Sequence, residues 1–475
     1  MADSPTAACP STIYNYLKQN LSPKSEVFLP DASDETMEIV QRWNAYNTPH
    51  YIVFAKPATN KDVQTIVKYS NDKNVPFLAT GGGNGYTNTT SALKGAIDVD
   101  LGFFRSVSVD APNNRVTVGG AATFDDIFGP ISAAKKELQT GSCSCVGVVG
   151  ATLGGGIGPY QGIHGLILDA LISVTVVTGK GDIVTASTGE NQDLFWGLRG
   201  AGFNYGVITS ATYRIHDQTN NGLALNGDFI YPTSAKEHVF NVVKTYENNQ
   251  PNELSIFASI MLDPVTQVTV ILISAIYIGP EEEGLAYIQP LIDSNPVRSN
   301  ISSIPWSRLV KENRFGADQF ACLKGGNHSV FGGNLATFDV STYVSLVDEF
   351  IQFYTENPAL ATAILVVEMF PNAVTKSIPD DATAYPYRDS FAYFFFSFVF
   401  SDVASGAIAE RAGLTWRNKL MSTGGKDGKL EVYVNYAHGD EGRVAWYAPR
   451  KIPKLLAIKS KWDPQNLFKW TNGLV

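Results

Sequence analysis

Thr80-Gly81-Gly82-Gly83-Asn84-Gly85-Tyr86 is the stretch that decides the fold. It has a glycine-rich counterpart about sixty residues later: Cys143-Ser144-Cys145-Val146-Gly147-Val148-Val149-Gly150-Ala151-Thr152-Leu153-Gly154-Gly155-Gly156-Ile157-Gly158. Glycine has no Cβ, so a backbone rich in it can turn sharply and approach a ligand closely. Its exposed amide N–H groups can then line a cradle for a pyrophosphate. Two such stretches predict an enzyme that holds a large dinucleotide from two sides.

The composition excludes several classes of partner. The chain has 475 residues, which is enough for two or three domains. Its 45 acidic residues outnumber the 36 basic ones, and no basic run occurs, so we expect no nucleic-acid partner. No apolar stretch reaches about 18 residues, so we expect no membrane span. The oligomeric state stays open.

The N-terminus and the cysteines bear on the compartment and on metals. Residues 1–9 lack the basic and apolar regions of a signal peptide. The chain is therefore predicted to be cytoplasmic, or secreted if a leader has been removed. Cys143 and Cys145 are too close in sequence to bridge easily and lack zinc-ligand spacing, so we expect no metal site. Cys9, Cys145 and Cys322 are interpreted as packing residues.

The pattern changes from about residue 223 onwards, where long apolar strands alternate with helices. The predicted strands are Leu254–Leu262, Val268–Tyr277, Ala363–Met369 and Tyr393–Phe400; the predicted helices are Ser234–Glu247, Glu281–Asp293, Val340–Asn357 and Ala404–Ser422. This alternation favours an antiparallel sheet covered by helices, and hence an α+β fold. A Rossmann fingerprint is disfavoured, because the residues after Gly85 are rich in Thr and Asn and do not form a helical pattern.

Read together and in order, these segments resemble the FAD-linked oxidases of the vanillyl-alcohol oxidase and berberine-bridge-enzyme class, and are nearest to fungal members that tailor secondary metabolites. The resemblance rests on both glycine stretches and on the following further segments: Pro57–Val63, Asp98–Leu101, Gly165–Asp169, Asp193–Thr209, Tyr433–Tyr436 and Trp462–Phe468. It implies a bipartite fold with a PCMH-type FAD-binding domain (45–218 with 430–475), a central substrate-binding domain (219–429) and an N-terminal segment (1–44).

The resemblance also implies how FAD is held. The first stretch would bind the pyrophosphate through backbone amides, which suits the absence of Lys and Arg within it. The second stretch would run beside the isoalloxazine, and residues 204–208 would lie near the adenine. The cofactor-binding residues implied in this way are Thr80, Gly81, Gly82, Gly83, Asn84, Gly85, Tyr86, Cys143, Val146, Gly147, Gly150, Gly154, Gly155, Gly158, Asn204, Gly206, Val207, Ile208 and Asn435.

Two positions bear on whether the flavin is bound covalently, as it is through two bonds in some relatives. Many relatives attach the flavin to a histidine where this chain has Asn84, and an amide cannot form that bond. Cys143 matches the position of a second attachment, although a small buried thiol is an equally good interpretation. The FAD is thus expected to be non-covalent or held by one bond at most. Val146 stands where relatives tune oxygen access, and a small residue there favours an oxidase.

Catalysis at a flavin usually needs a base for the substrate proton. Tyr436 is the first candidate, because it follows Asn435 in a motif where relatives place an active-site tyrosine. Its pKa would have to be lowered by its neighbours if it is to act at neutral pH. Tyr393 and Glu368 are further candidates, since alternate residues of their strands would face the flavin.

The favoured function is an oxidase that takes a hydride from a small, natural-product-like organic molecule and reduces O2 to H2O2. Aromatic residues in the central domain, among them Trp306, Tyr385 and Phe395, favour an apolar substrate over a sugar. The alternatives are a non-redox cyclase or isomerase that keeps FAD as a scaffold, a carbohydrate or alcohol dehydrogenase of the same fold, and a non-catalytic flavin-binding protein.

Overall fold

Both ends of the chain build one module in the computed structural model, which describes residues 9–30 and 41–475. The strands of this module are β1 (Glu26–Phe28), β2 (His50–Lys56), β3 (Phe77–Thr80), β4 (Lys94–Asp100), β5 (Val107–Asp110), β6 (Arg115–Gly119), β7 (Lys136–Glu137), β8 (Leu171–Thr178), β9 (Ile183–Ser187), β10 (Gly206–Arg214) and β11 (His216–Asp217). One sheet has the order β1-β2-β4-β3, with parallel pairing of β4 to both β2 and β3. A second, antiparallel sheet has the order β5-β6-β10-β8-β9. The described part of the N-terminal segment belongs to this module, because β1 pairs with β2.

The helices lie around and between the sheets. In chain order they are α1 (Pro10–Asn20), α2 (Asn60–Lys73), α3 (Phe124–Ala133), α4 (Val148–Gly154), α5 (Gln161–His164), α6 (Ile167–Ala170), α7 (Gln192–Ala201), α8 (Lys236–Asn249), α9 (Glu281–Ile292), α10 (Trp306–Gly316), α11 (Asp318–Ala321), α12 (Val340–Glu356), α13 (Ala373–Ser377), α14 (Val403–Gly424), α15 (Arg443–Tyr447) and α16 (Ile452–Trp462). Within the described ranges no helix is long and apolar enough to cross a membrane.

Helix α2 shows how local sequence positions the first glycine stretch. Thr59 caps the helix by a reciprocal pair of hydrogen bonds with Asp62. Val63, Ile66 and Val67 are fully buried on one face of this helix. They pack with the apolar residues of β2, β3 and β4, so the end of β3 at Thr80 delivers the glycines at a fixed place.

The central domain is one seven-stranded sheet, antiparallel throughout. Its strands are β12 (Leu223–Pro232), β13 (Leu254–Leu262), β14 (Thr269–Tyr277), β15 (Arg298–Pro305), β16 (Asn327–Leu335), β17 (Ile364–Met369) and β18 (Ala392–Phe400), in the order β15-β12-β14-β13-β17-β18-β16. The predicted α+β fold, with an antiparallel sheet covered by helices, is confirmed. Sequence analysis did not single out β12, β15 and β16; β16 contains Gly332 and Gly333, which weaken a strand pattern.

The two faces of the central sheet have different environments. Alternate residues such as Leu365, Val367 and Phe394 pack under helices α8, α12 and α14. The opposite residues, which include Phe257 and Tyr393, pack with the core of the FAD-binding module. We call this second side the inner face of the sheet.

Candidate active site

The two glycine stretches touch each other, backbone against backbone. A Cβ on Gly82 would lie only 2.8 Å from the backbone nitrogen of Gly147. No larger residue fits at Gly82 without pushing the stretches apart. The glycines at this contact therefore serve to bring the two loops together.

The first stretch presents amide groups that have no acceptor among the described residues. Gly81 and Gly85 are exposed, and no N–H from Gly82 to Tyr86 donates a hydrogen bond to an acceptor within residues 9–30 or 41–475. A cluster of unpaired backbone donors on an exposed glycine loop is a cradle for an anion. These residues fit the pyrophosphate of FAD.

Basic side chains from elsewhere in the chain reach this loop, although the loop itself contains no Lys or Arg. Arg42 donates from Nη2 to the carbonyl oxygen of Gly85 at 3.1 Å. The Nζ of Lys324 lies 3.9 Å from the position that a Cβ on Gly83 would take. Both cations are distant from the loop in sequence, and only the fold brings them beside it.

Asn84 is held within the protein at the junction of the two stretches. When its amide is oriented to donate, the nitrogen lies 2.9 Å from the carbonyl oxygen of Gly82 and 3.1 Å from that of Cys145. The side chain therefore ties the first stretch to the second through hydrogen bonds. It occupies the position at which many relatives have a covalent anchor.

The second stretch is partly helical and mostly packed. Val148–Gly154 forms helix α4, and Gly150 on it is exposed, with no atom within 4 Å of where a Cβ would stand. Gly154, Gly155 and Gly158 are buried instead. Side chains there would meet Asn435 at 2.3 Å, the rings of Tyr385 and Tyr433 at 2.9 Å, and the carbonyl oxygen of Thr140 at 1.9 Å. Among the glycines of this stretch, only Gly150 is exposed in the part of the chain that the structure describes.

A disulfide joins Cys145 to Cys322, with 5.7 Å between the two Cα atoms. The prediction that both are packing residues is wrong, because the fold brings together cysteines that lie 177 residues apart. Cys9 is exposed, so it is not a packing residue either.

Two hydrogen-bonded contacts reinforce the disulfide. The backbone N–H and the hydroxyl of Ser144 both donate to the buried carboxylate of Asp318, at 2.8 and 2.5 Å. The guanidinium of Arg314 donates to the carbonyl oxygen of Ser142 at 2.5 Å. We call residues 314–322, which hold the second stretch through these three links, the clasp.

Cys143 is a free thiol next to the clasp and is partly buried. Burial raises its pKa to about 11, against the opposing charge of Arg314. The thiol is therefore largely protonated until a bound group or a shift in the loop changes its surroundings. Val146 is also partly buried and packs against the core of the FAD-binding module.

Glu368 and Tyr436, two of the predicted catalytic residues, are in direct contact. Tyr436 donates from Oη to Oε2 of Glu368 at 2.7 Å. Ser142 donates from Oγ to the other carboxylate oxygen, Oε1, at 2.9 Å. Glu368 lies on the inner face of strand β17 and is 1% exposed. Its hydrogen bond with Ser142 links the start of the second glycine stretch to the central sheet.

The pKa values of this pair move upwards. Burial raises the pKa of Glu368, while the hydroxyl donors and the charge of Arg314 oppose that shift. Burial and the neighbouring Glu368 carboxylate raise the pKa of Tyr436 well above its ordinary value. The requirement for a lowered tyrosine pKa is therefore not met, because a phenolate beside a carboxylate would place two negative charges together.

Tyr393 lies in a different set of contacts. Its hydroxyl is 3.2 Å from that of Tyr385, and both rings are buried against Tyr433. Burial raises the pKa of Tyr393. Although it shares the inner face with Glu368, its hydroxyl is hydrogen-bonded to another tyrosine and not to that carboxylate.

Several predicted cofactor residues hydrogen-bond to the protein itself. Thr80 donates to Asp98 at 2.8 Å. Asn204 bonds to Ala201, Tyr447 and Leu474, and Asn435 donates to Ala151 and Tyr433. Val207 and Ile208 are buried in the core, whereas Gly206 and Tyr86 are partly accessible. For these residues a role in holding FAD stays a prediction.

Sequence reasoning missed Ser142, Arg314, Arg42 and Lys324 as residues of the site. Only Ser142 carried a local signal, since it stands directly before the cysteine that the resemblance identified. Arg314 lies in a helical pattern and resembles any surface cation until the fold places it beside Ser142.

Comparison with known proteins agrees with this architecture. The FAD binding domain family matches residues 27–187, and the berberine and berberine-like family matches residues 432–474. The FAD-linked oxidoreductase azaL of Aspergillus niger is 40% identical over 459 residues, covering 96% of this chain and 97% of that protein.

Solved structures extend the comparison to the fold. The Physcomitrella patens BBE-like 1 protein superposes with a TM-score of 0.83 at 20% identity, covering 98% of this chain and 99% of its own. A xylooligosaccharide oxidase from Myceliophthora thermophila C1 in complex with xylobiose superposes with a TM-score of 0.80 at 22% identity, covering 97% and 98%.

Proposed function

Because this chain belongs to the berberine-like family of FAD-linked oxidoreductases, we propose that it is an oxidase acting on a small, natural-product-like molecule. When bound, FAD accepts a hydride at N5 and passes the electrons to O2, which becomes H2O2. The observation that carries the proposal is the Glu368–Tyr436 pair on the inner face, close to both glycine stretches.

In this proposal Glu368 is the final proton acceptor and Tyr436 is the relay. A substrate O–H or N–H would give its proton to Tyr436 Oη as Tyr436 passes its own proton to Oε2 of Glu368. The phenol is neutral before and after the transfer, which suits its raised pKa. Ser142 holds the second carboxylate oxygen and so fixes the orientation of Glu368.

The inner face supports an apolar substrate. Phe395 packs edge-on against the ring of Tyr436, with 5.1 Å between ring centroids. Phe257 and Val366 line the same face. Aromatic and aliphatic side chains beside one acid pair favour a flat, hydrophobic molecule over a sugar.

Two experiments test the oxidase. The holoenzyme is first reduced photochemically without air and then mixed with aerated buffer; rapid return of the flavin absorption with one H2O2 per flavin is expected. Slow reoxidation would instead identify a dehydrogenase. The oxidised holoenzyme is then screened without air against hydroxylated aromatic compounds. Bleaching of the flavin is expected, whereas product formation without bleaching would contradict redox catalysis and favour a cyclase or isomerase.

We also propose that any covalent bond to the flavin forms at Cys143. Asn84 has no nucleophilic atom, and its amide is placed to hydrogen-bond the backbone of both stretches. Cys143 has a free sulfur in the second stretch. The charge of Arg314 favours its thiolate, which is the form that reacts.

The Cys145–Cys322 disulfide supports maturation of the chain in an oxidising compartment, since such bonds are rare in reducing ones. Peptide mapping of the protein as isolated from its natural source, with thiols blocked first, tests this inference. We expect a Cys145–Cys322 linked peptide, a blocked thiol at Cys9, and at Cys143 either a blocked thiol or the attached flavin. Four blocked cysteines would contradict it.

A further inference from the structure

Helix α10 ends in an unusual turn. Arg314 and Phe315 both have left-handed backbone angles, with φ of 53° and 52°. Two bulky residues in succession rarely adopt this conformation, and each costs free energy. The turn therefore has to be held by its surroundings.

A buried carboxylate on the central sheet holds it. The N–H groups of Arg314 and Phe315 donate to the two oxygens of Asp228, at 3.0 and 2.8 Å. Asp228 is fully buried on the inner face of β12 and also accepts from Ser274 at 2.6 Å. This arrangement fixes the direction in which the side chain of Arg314 leaves the turn.

The guanidinium of Arg314 is half-buried and has no carboxylate partner within residues 9–30 and 41–475. It donates to the carbonyl oxygen of Ser142 at 2.5 Å and to Oδ1 of Asn313 at 3.2 Å, and it lies over the ring of Phe257 at 4.8 Å. Among the described residues no Asp or Glu oxygen comes within 4.0 Å of it. Nη1 makes no hydrogen bond to any of these residues.

This cation is next to the proposed catalytic pair. Ser142, whose carbonyl oxygen binds Arg314, donates its hydroxyl to Glu368. Beyond the turn, Phe315 packs against an apolar group on the inner face formed by Ile230, Val270 and Leu272. The positive charge thus lies between a hydrophobic surface and the acid that would take the proton.

We propose that Arg314 binds an ionised oxygen of the substrate, so that the substrate is a hydrophobic, aromatic molecule with a carboxylate or phenolate group. This inference rests on the proposed function and adds a substrate class to it. A guanidinium that has no counter-ion among the described residues and lies in a partly desolvated site gains most from an anionic ligand, and its planar donors suit an oxygen anion. The half-buried ring of Phe315, next to Arg314, suits the body of such a molecule.

An alternative role for Arg314 is purely internal, as a source of positive charge for Glu368 and Cys143. That role would require no open donor and no ligand preference. It predicts the same binding of charged and neutral aromatic compounds, whereas the anion site predicts a difference that disappears with the guanidinium.

The test uses the oxidised holoenzyme and measures dissociation constants from perturbation of the flavin absorption. The probes are benzoate and its neutral counterpart benzamide, with 4-nitrophenol titrated across its own ionisation to distinguish a phenolate site from a carboxylate site. We expect benzoate, 4-nitrophenolate or both to bind about tenfold or more tightly than the neutral probe, which is typical of one charge-assisted pair.

Variants assign the preference to Arg314. Arg314→Met should bring the charged and neutral probes to within about twofold, and Arg314→Lys should keep part of the preference. Arg411→Met, at an exposed arginine on α14, is the matched control and should bind like the wild type. Flavin content and melting temperature are measured for each variant. If Arg314→Met does not fold, the probe preference of Arg314→Lys is compared with that of the wild type instead.

Equal binding of charged and neutral probes to the wild type, or no binding of any probe, would overturn the proposal. A preference that survives in Arg314→Met would also overturn it. Failure of the oxidase proposal is read separately, from reoxidation of the photochemically reduced flavin, which needs no substrate.

Discussion

The two glycine stretches look alike in sequence but have different roles in the fold. In the first, Gly81 and Gly85 are exposed and a run of amides has no acceptor within the described residues. In the second, Gly154 to Gly158 are buried, and protein atoms occupy the positions where side chains would stand. Glycine density therefore has two physical meanings: it exposes backbone to a ligand, or it lets elements of the protein pack closely.

The stretches also differ in what holds them. The first continues from β3 and is touched by isolated side chains such as Arg42. The second is fixed to the central domain by the clasp, through Arg314, Asp318 and the Cys145–Cys322 disulfide. We therefore propose that the first stretch holds the pyrophosphate through its amides, and that the second positions Cys143 and the reactive pair of Glu368 and Tyr436.

The largest expected effect concerns Glu368, which is oriented by Ser142, the residue directly before the second stretch. Glu368→Gln removes the proton acceptor but keeps the shape, so we expect flavin reduction by a substrate from the bleaching screen to slow by about 10²- to 10⁴-fold. Tyr393→Phe, on the same face but bonded to Tyr385, is the control and should change the rate less than about tenfold. Similar losses in both variants would mean that Glu368 has no special role. The rates are measured by rapid mixing without air.

The next effect concerns Asp98, which supports the first stretch at Thr80 and should make the stability of the fold depend on pH. Burial raises the pKa of Asp98, which accepts a hydrogen bond from Thr80, from 3.8 to about 7. Between about pH 4 and about pH 7 the folded state holds a proton that the unfolded state releases, so stability falls as the pH rises. The contribution is on the order of 4 kcal/mol.

Asp98→Asn should remove this part of the pH dependence of stability and leave the part that comes from other titratable groups unchanged. Urea unfolding of both proteins near the two ends of that range gives the difference directly. A wild-type protein whose stability relative to Asp98→Asn rises with pH would show that Asp98 is ionised in the fold.

The disulfide of the clasp should contribute somewhat less than Asp98 to the free energy of unfolding. Replacing both cysteines, Cys145→Ser with Cys322→Ser, should lower the free energy of unfolding by about 3 kcal/mol, because the bond closes a long loop in the unfolded chain. Cys9→Ser, at an exposed free thiol, is the control and should have no effect. Unfolding in urea checks both. An unchanged stability in the double variant would show that the clasp does not depend on the bond.

The smallest effect compares glycines of the two stretches directly. Gly158→Ala would place a methyl group 1.9 Å from the carbonyl oxygen of Thr140, so we expect a loss of about 2 kcal/mol. Gly85→Ala meets nothing nearer than the Arg42 side chain at 3.5 Å and should stay within about 0.5 kcal/mol of the wild type. Equal losses of stability in the two variants, measured by thermal unfolding, would contradict the distinction between an open and a packed stretch.

Local structure could be predicted from the sequence wherever a short pattern of residues determined it. The bounds of strand Leu254–Leu262 and the placement of Glu368 on the inner face both follow from patterns a few residues long. Contacts between distant segments were not readable. The Cys145–Cys322 bond, the reach of Lys324 to Gly83 and the turn at Arg314 each depend on contacts between segments that are far apart in sequence. Helix α4 also forms despite its glycines, because packing outweighs their low helix propensity.

The most direct test of the difference between the stretches is the mass of the denatured holoenzyme, followed by peptide mapping, for the wild type and for Cys143→Ser. We expect any FAD that stays attached to the wild type to be on the peptide that contains Cys143, and the variant to release all of its FAD while still binding it in the native state. Flavin attached to the peptide that contains Asn84, or a covalent adduct that survives in Cys143→Ser, would contradict the account.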